Sequence, residues 1–241
     1  MKNKFYRFKI FSPHKNIVYG FSVRKFGSIK NNGNIDNENL KRFVKTVNVN
    51  LEKVVFAKQV HGKSVSIIGN SEKNIIRDTD GLITKQKNIF LFITTADCLP
   101  LIFYDPVKEN LGVAHAGYKG ILVGIIKNMI EKFMNLGSRS ENIMVGIGPS
   151  IGSCCYSVSR ERISEFKRTF GDIAGIVKTK NKERFLDLKL VASCLLEKYG
   201  IIQKNIQVLP VCTKCSMDQF FSFRGDSRET FGEFVTFAGM I

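Results

Sequence analysis

The chain has 241 residues, 44% of them hydrophobic, with 37 basic and 21 acidic side chains and a formal charge of +16. That length and apolar share suffice for a sizeable core, and the lack of an apolar run of about 18 residues excludes a spanning helix. The N-terminus, "MKNKFYRFKIF", alternates basic and apolar residues instead of forming the unbroken apolar segment of a signal peptide, and of the six cysteines two are adjacent, two are spaced C-x-x-C and the others are scattered, so a cytoplasmic protein with reduced thiols is expected.

In chain order, "FYRFKIF" (5–11) and "NIVYGFSVR" (16–24) read as strands. "IDNENLKRFVKTV" (35–47) reads as a short helix that Asp36 or Asn37 can cap. Six β-rich runs follow: "KVVFAKQVHG", "SVSIIG", "GLIT", "IFLFITTAD", "PLIFYDP" and "NLGVAHAG". Each is rich in Val, Ile or Phe or bounded by Gly, Asn and Asp. A helix is predicted from near Gly120 to about Leu136, with Gly137 as its C-cap. "IMVGIGPSIG" reads as a strand entering a glycine-rich turn. "SRERISEFKRTF" and "FLDLKLVASCLLEKYG" carry apolar residues at helical spacing. Residues 171–184 read as an exposed, mobile loop, "NIQVLPV" as a strand, and 218–241 as an aromatic, glycine-punctuated tail. No repeat or linker interrupts the chain. The order is not a regular β-α-β alternation, which favours a single α+β domain over 1–241 with mixed sheets over a doubly wound fold.

The lysines are spread along the chain with no block of five or six like charges. The basic balance therefore reads as a solvated surface that draws in a small anion such as phosphate, not as a nucleic-acid stripe. No feature sets an oligomeric state.

The three histidines carry the chemical signal. His14 sits in the turn-like "SPHKN" and reads as surface. His61 ends a strand in "KQVHG" and His115 ends another in "GVAHAG", each with glycine at once or after one alanine. Glycine lets the backbone turn sharply beside an imidazole. Cys98 follows the strand "IFLFITTAD". If these strand ends gather, they make a Cys-His-His set with a fourth position open, the pattern of a catalytic zinc. The alternative is that each histidine is a hydrogen-bonded structural residue.

The other motifs speak less directly. "CTKC" (212–215) invites a metal or redox reading. With no second C-x-x-C and no thioredoxin-like helix, buried structural thiols are expected there. Cys154 and Cys155 read as packing residues whose side chains point apart in extended backbone, and Cys194 as core. "GIGPSIG" matches no dinucleotide or P-loop pattern, but predicts exposed amides able to bind an anion. "FFSFRGDSRETFG" reads either as a solvated charged turn or as a pocket wall, with Phe faces for a base and Arg224 for an anion.

Taken in order, "KQVHG", "DGLIT", "TTADCLPLIFYDP", "GVAHAGYKG", "GIGPSIGSCCYSVS" and "FFSFRGD" closely resemble the YfiH-like family, described both as laccase-domain polyphenol oxidases and as purine nucleoside phosphorylases. The resemblance runs from about Lys58 to the C-terminus. It implies an α+β sandwich of two mixed sheets with helices outside, and His61, Cys98 and His115 as ligands of a metal, usually zinc. The implied activities are phosphorolysis of adenosine, inosine and methylthioadenosine, and deamination of adenosine; some members are linked to editing of peptidoglycan precursors. The family's "HAGWRG" reads "HAGYKG" here, so Tyr118 replaces Trp and Lys119 replaces Arg, which keeps the charge and loses the bidentate fork. "FFSYRRDG" reads "FFSFRGDS", so Gly225 replaces an arginine.

On this reading the partners are a purine nucleoside and phosphate. Asp97 or the Cys98 thiolate relays a proton. Lys119, Arg224 and the turn from Gly148 to Gly152 are candidates for phosphate, and Gln59, two residues from His61, for the substrate. Three alternatives accompany it: a hydrolase or editing factor for peptidoglycan precursors at the same site, a copper-dependent phenol oxidase, and a non-enzymatic basic RNA-binding module. Three histidines are too few for a multicopper cluster.

Overall fold

The computed structural model describes residues 6–31, 34–69 and 74–241. Among the described residues, fifteen strands and five α-helices follow one another: β1 (Ile17–Phe21), β2 (Lys30–Asn31), β3 (Asn34–Ile35), α1 (Asn37–Thr46), β4 (Val54–Lys58), β5 (Val65–Ile68), β6 (Ile75–Arg77), β7 (Gly81–Thr84), β8 (Phe90–Thr95), β9 (Leu99–Asp105), β10 (Asn110–Ala116), α2 (Tyr118–Val123), α3 (Ile125–Asn135), β11 (Met144–Ile147), α4 (Arg160–Phe170), β12 (Val177–Lys180), β13 (Glu183–Leu186), α5 (Leu188–Lys198), β14 (Ile206–Val208) and β15 (Phe234–Met240).

Two mixed sheets carry the fold, a five-stranded one in the order β1-β15-β8-β4-β6 and a six-stranded one in the order β14-β11-β9-β10-β7-β5. Period-two alternation makes each central strand serve two layers. On β8, Leu91 and Ile93 enter the core between the sheets, whereas Phe90 and Phe92 enter a core under α1 with Leu40, Phe43 and Val44. On β9, Ile102 and Tyr104 face the inter-sheet core, whereas Leu101 and Phe103 pack with Met129, Phe133, Leu195 and Leu196 of α3 and α5. The result is helix, sheet, sheet and helices in layers, the α+β sandwich that the resemblance implies.

Local chemistry explains most boundaries. The Asp36 carboxylate accepts from Asn39 N at 2.9 Å and starts α1. The expected helix over 120–136 begins earlier, at Tyr118, and is cut in two by Gly124, whose φ of +100° is left-handed. Two expectations fail, and one segment left without an element proves to hold a strand. Within "FYRFKIF", Phe5 lies outside the described residues, and Lys9–Phe11 is a 3-10 turn that seats Phe8 and Phe11 in the inter-sheet core. The loop at 171–184 holds β12 and the start of β13, an antiparallel pair. The tail contains β15, which lies between β1 and β8.

This topology gathers the strand ends. β4 and β8 run parallel (Phe56 beside Phe92), so the chain leaves both at the same end, toward His61 and Cys98. β9 starts at that end in the other sheet, and antiparallel β10 finishes there, with His115 opposite Pro100 and Ala116 opposite Leu99.

Candidate metal centre and adjoining cavity

His61, Cys98 and His115 each present a donor atom within 4.8 Å of the other two, and the two imidazoles lie edge to face at 4.7 Å. His61 is exposed, Cys98 half-buried and His115 buried. Gly117 makes the gathering possible: a Cβ there would stand 2.9 Å from Cys98 Sγ and 3.1 Å from the His61 ring.

The fully buried carboxylate of Asp80 organises the cluster. Oδ1 accepts from His61 N at 3.0 Å and lies 2.8 Å from His115 Nδ1. Oδ2 accepts from Gly62 N at 2.8 Å and Val60 N at 3.2 Å. The Asp80 carbonyl also accepts from His115 N at 2.7 Å. One aspartate thus holds the left-handed turn at His61 (φ +59°) and fixes the tautomer of His115, leaving Nε2 for a ligand. Burial pushes the Asp80 carboxyl up, but hydrogen bonds from His115 and Gly62 outweigh it and hold it below its ordinary value. Burial likewise opposes charge on Cys98 and His115. Their mutual attraction prevails, bringing the thiol down to about 7 and the imidazole up to about 9. Three donors, one already poised as thiolate, with a carboxylate behind one imidazole, fit a tetrahedral cation with one position left for a substrate.

The thiol gives a direct check on the metal-free protein. Alkylation of Cys98, followed by peptide mass, should rise with pH through a midpoint near 7. His115→Ala should move the midpoint up, because burial then acts without its imidazolium; an unchanged midpoint would refute the pairing.

The cluster opens on a cavity of about 600 Å³, a size typical of small-molecule sites. Tyr118, Tyr156, Phe223 and Phe231 line it, with the guanidiniums of Arg162 and Arg224. Arg162 lies over the Tyr118 ring at 3.8 Å, and Arg224 lies 5.2 Å from the Tyr156 ring centre and donates to Ser157 O at 3.2 Å. Glu233 also lines the cavity, held by the Thr94 hydroxyl and by Lys30 at 3.5 Å.

The other residues singled out in the sequence divide. Gln59 lines the cavity, but its amide is engaged with the Thr94 backbone, donating to O at 2.7 Å and accepting from N at 2.9 Å. The Asp97 carboxylate accepts from the Thr213 hydroxyl at 2.5 Å and from Arg224 N at 2.7 Å, so it positions the arginine segment behind Cys98. Lys119 is exposed and absent from the cavity lining. The expected anion cradle is not formed: Gly148 N donates to Pro100 O, Ile151 N to Asp97 O and Gly152 N to Cys212 Sγ, so these amides are already used and neither glycine lines the cavity. His14 packs its ring against Tyr104, away from the cluster. Asp226, in the same aromatic segment as Arg224, faces Arg24 with both oxygens at 2.7 Å.

Sequence reasoning missed Asp80, Arg162, Tyr156 and Glu233. Asp80 was signalled by "DGLIT", an aspartate before the glycine that opens a strand. Arg162 sits in an ordinary amphipathic helix and had no local signal.

Residues 28–241 match the family model described as "Multi-copper polyphenol oxidoreductase laccase". The chain is 35% identical over 204 residues to purine nucleoside phosphorylase YlmD of Bacillus subtilis, covering 80% of this chain and 73% of that protein. It is 35% identical over 190 residues to the human purine nucleoside phosphorylase LACC1, covering 77% of this chain but only 43% of the human protein. Adenosine deaminase RL5, from an unknown prokaryotic organism, is 27% identical over 73% of this chain and 71% of its own. Among solved structures, the hypothetical protein YfiH of Bacillus licheniformis superposes with a TM-score of 0.86 at 31% identity, covering 93% of each chain. Among the described residues no helix is long and apolar enough to cross a membrane.

Proposed function

This chain belongs to the multi-copper polyphenol oxidoreductase laccase family, the YfiH-like proteins, and from that premise we propose that it is a zinc-dependent purine nucleoside phosphorylase for adenosine, inosine and methylthioadenosine. One observation carries the reading. The donors of His61, Cys98 and His115 converge at a cavity that also holds two guanidiniums and several aromatic faces. That is one pole for an electrophile, one for an anion and a surface for a base. Zinc held by these three residues would supply Lewis acidity at its open position.

The chain's own residues supply the rest. Arg162 and Arg224 receive phosphate. Phe223 and Phe231, ring centres 5.7 Å apart, offer faces to the purine, and Glu233 accepts from a ribose hydroxyl. A phosphate oxygen forms a bond to C1′ as the C1′–N9 bond breaks and its electron pair leaves with the purine. Asp80 keeps His115 oriented throughout, and Asp97 holds the Arg224 backbone against the cavity. Adenosine deamination at the same site is a second reading, supported by the relative named adenosine deaminase and by the three-donor set, which would leave a metal one position for an activated water. Copper oxidase chemistry fits less well, since a multicopper cluster needs more imidazoles than the two that reach this site among the described residues.

Chromatography of adenosine incubated with and without phosphate tests the reading. Adenine and ribose 1-phosphate formed only with phosphate, and lost in Cys98→Ala, are expected. Inosine formed without phosphate would establish the deaminase. No product in either condition would overturn both and turn attention to peptidoglycan precursors.

A further inference from the structure

A second cluster of sulfur donors lies outside the cavity. Cys154, Cys155, Cys212 and Cys215 each present a sulfur within 4.8 Å of the other three. The Cys215 sulfur stands 3.4 Å from that of Cys155 and 3.6 Å from that of Cys154. Around a tetrahedral zinc with bonds of about 2.3 Å, sulfurs sit about 3.8 Å apart, so this spacing is close to that of a tetrathiolate shell.

The backbone explains why four thiols meet. The expectation that Cys154 and Cys155 diverge assumed an extended chain. Residues 153–155 instead form a turn, closed by Cys155 N and Tyr156 N on Gly152 O at 2.9 and 3.0 Å, and both sulfurs face Cys215. Across from it, Cys212 pairs in register with Ser150, and Lys214–Ser216 form a 3-10 turn that brings Cys215 back beside it. The surroundings are ordered as for a ligand set. Gly152 N donates to Cys212 Sγ at 3.3 Å, and Lys189 Nζ bonds the carbonyls of Leu209 at 3.0 Å and Val211 at 2.7 Å just before Cys212. Nor are these thiols the buried packing groups expected from the sequence: Cys154 and Cys215 are exposed, Cys155 and Cys212 half-buried. Exposed reduced thiols contribute little as packing, whereas a zinc knuckle holds such sulfurs at a surface.

We propose that these four cysteines hold a second, structural zinc ion, closed by four protein ligands and distinct from the His61–Cys98–His115 centre. It joins two segments, 152–156 and 212–216, whose Cys155 and Cys212 are 57 residues apart in the chain. Both lead directly to the cavity. Tyr156 ends the first and lines the cavity, and Thr213 in the second bonds Asp97 beside Cys98. The ion thus clamps one wall of the cavity without touching substrate.

Cobalt(II) added to the apo, fully reduced chain is the probe. The wild-type chain should bind two equivalents. His61→Ala/Cys98→Ala should retain one, with intense sulfur-to-cobalt charge-transfer bands and protection of all four remaining cluster thiols from alkylation. Cys154→Ser/Cys215→Ser should retain one, with those bands reduced to the weaker absorption of the single Cys98 thiolate. Should the latter variant fail to fold, the other two chains still decide. One equivalent in the wild type, with none in His61→Ala/Cys98→Ala, would overturn the second site. So would isolation of the four cysteines as disulfides that bind no cobalt after reduction. Conversely, one equivalent in the wild type that persists in His61→Ala/Cys98→Ala would sustain this site and refute the catalytic centre.

Discussion

Asp80→Ala should lower stability by about 3 kcal/mol and weaken metal binding by 10- to 100-fold or more. The side chain is fully buried and serves four donors: the amides of Val60, His61 and Gly62 and the imidazole of His115. Removing the acceptor leaves those donors to whatever water can reach the His61 turn, and frees His115 to change tautomer. Asp80→Asn should not rescue. The amide has one acceptor oxygen, and its NH₂ would face donors already aimed at the second. The pH dependence follows from the direction of the shift. The native carboxyl is held below its ordinary value, so its contribution is complete above about pH 4 and is lost as pH falls through the lowered native value. In Asp80→Asn that acid limb should disappear from a plot of unfolding free energy against pH. An Asn variant with wild-type stability and metal affinity would remove Asp80 from the account.

Arg224→Ala should raise the KM for phosphate by roughly 10- to 100-fold, the range of a lost charge-assisted hydrogen bond, with little change in melting temperature because the side chain is exposed. Arg162→Ala should act on the same constant. Arg162→Lys should recover only part of it, since a lysine keeps the charge but cannot lay a planar group over Tyr118 at 3.8 Å. Lys119→Ala should leave the phosphate KM unchanged, because Lys119 is exposed on α2 and does not line the cavity. Initial rates at varied phosphate, in all four variants, separate these outcomes. An effect confined to Lys119 would place the anion at the start of α2 and exclude the two arginines.

The strand ends that carry His61, Cys98 and His115 were legible because each closes an apolar run at a glycine or a polar turn, and strand periodicity survives in the fold. Their convergence was not: it depends on β4 and β8 running parallel and on the chain crossing from one sheet to the other at Cys98. The layered sandwich came from the family resemblance; the order of the predicted elements reached only α+β with mixed sheets. β15 went unread because its seven residues, "FVTFAGM", lack polar alternation, as a strand buried on both faces must. The glycine-rich turn was located correctly but its amides were not free, since satisfaction by Pro100, Asp97 and Cys212 is a tertiary event. Arg162 reaches the cavity by the packing of α4, which no local pattern encodes. Its stacking partner Tyr118 stands where the resemblance leads one to expect tryptophan, so the aromatic role is kept with a smaller ring.

The most direct test of the central claim is an anomalous difference map, at the zinc edge, of crystals grown with zinc and soaked with inosine. A peak about 2.0–2.3 Å from one nitrogen each of His61 and His115 and from Cys98 Sγ is expected, with no fourth protein ligand and the nucleoside bound beside Phe223 and Arg224. A map without that peak at saturating zinc, or one in which a fourth side chain closes the shell, would contradict the account.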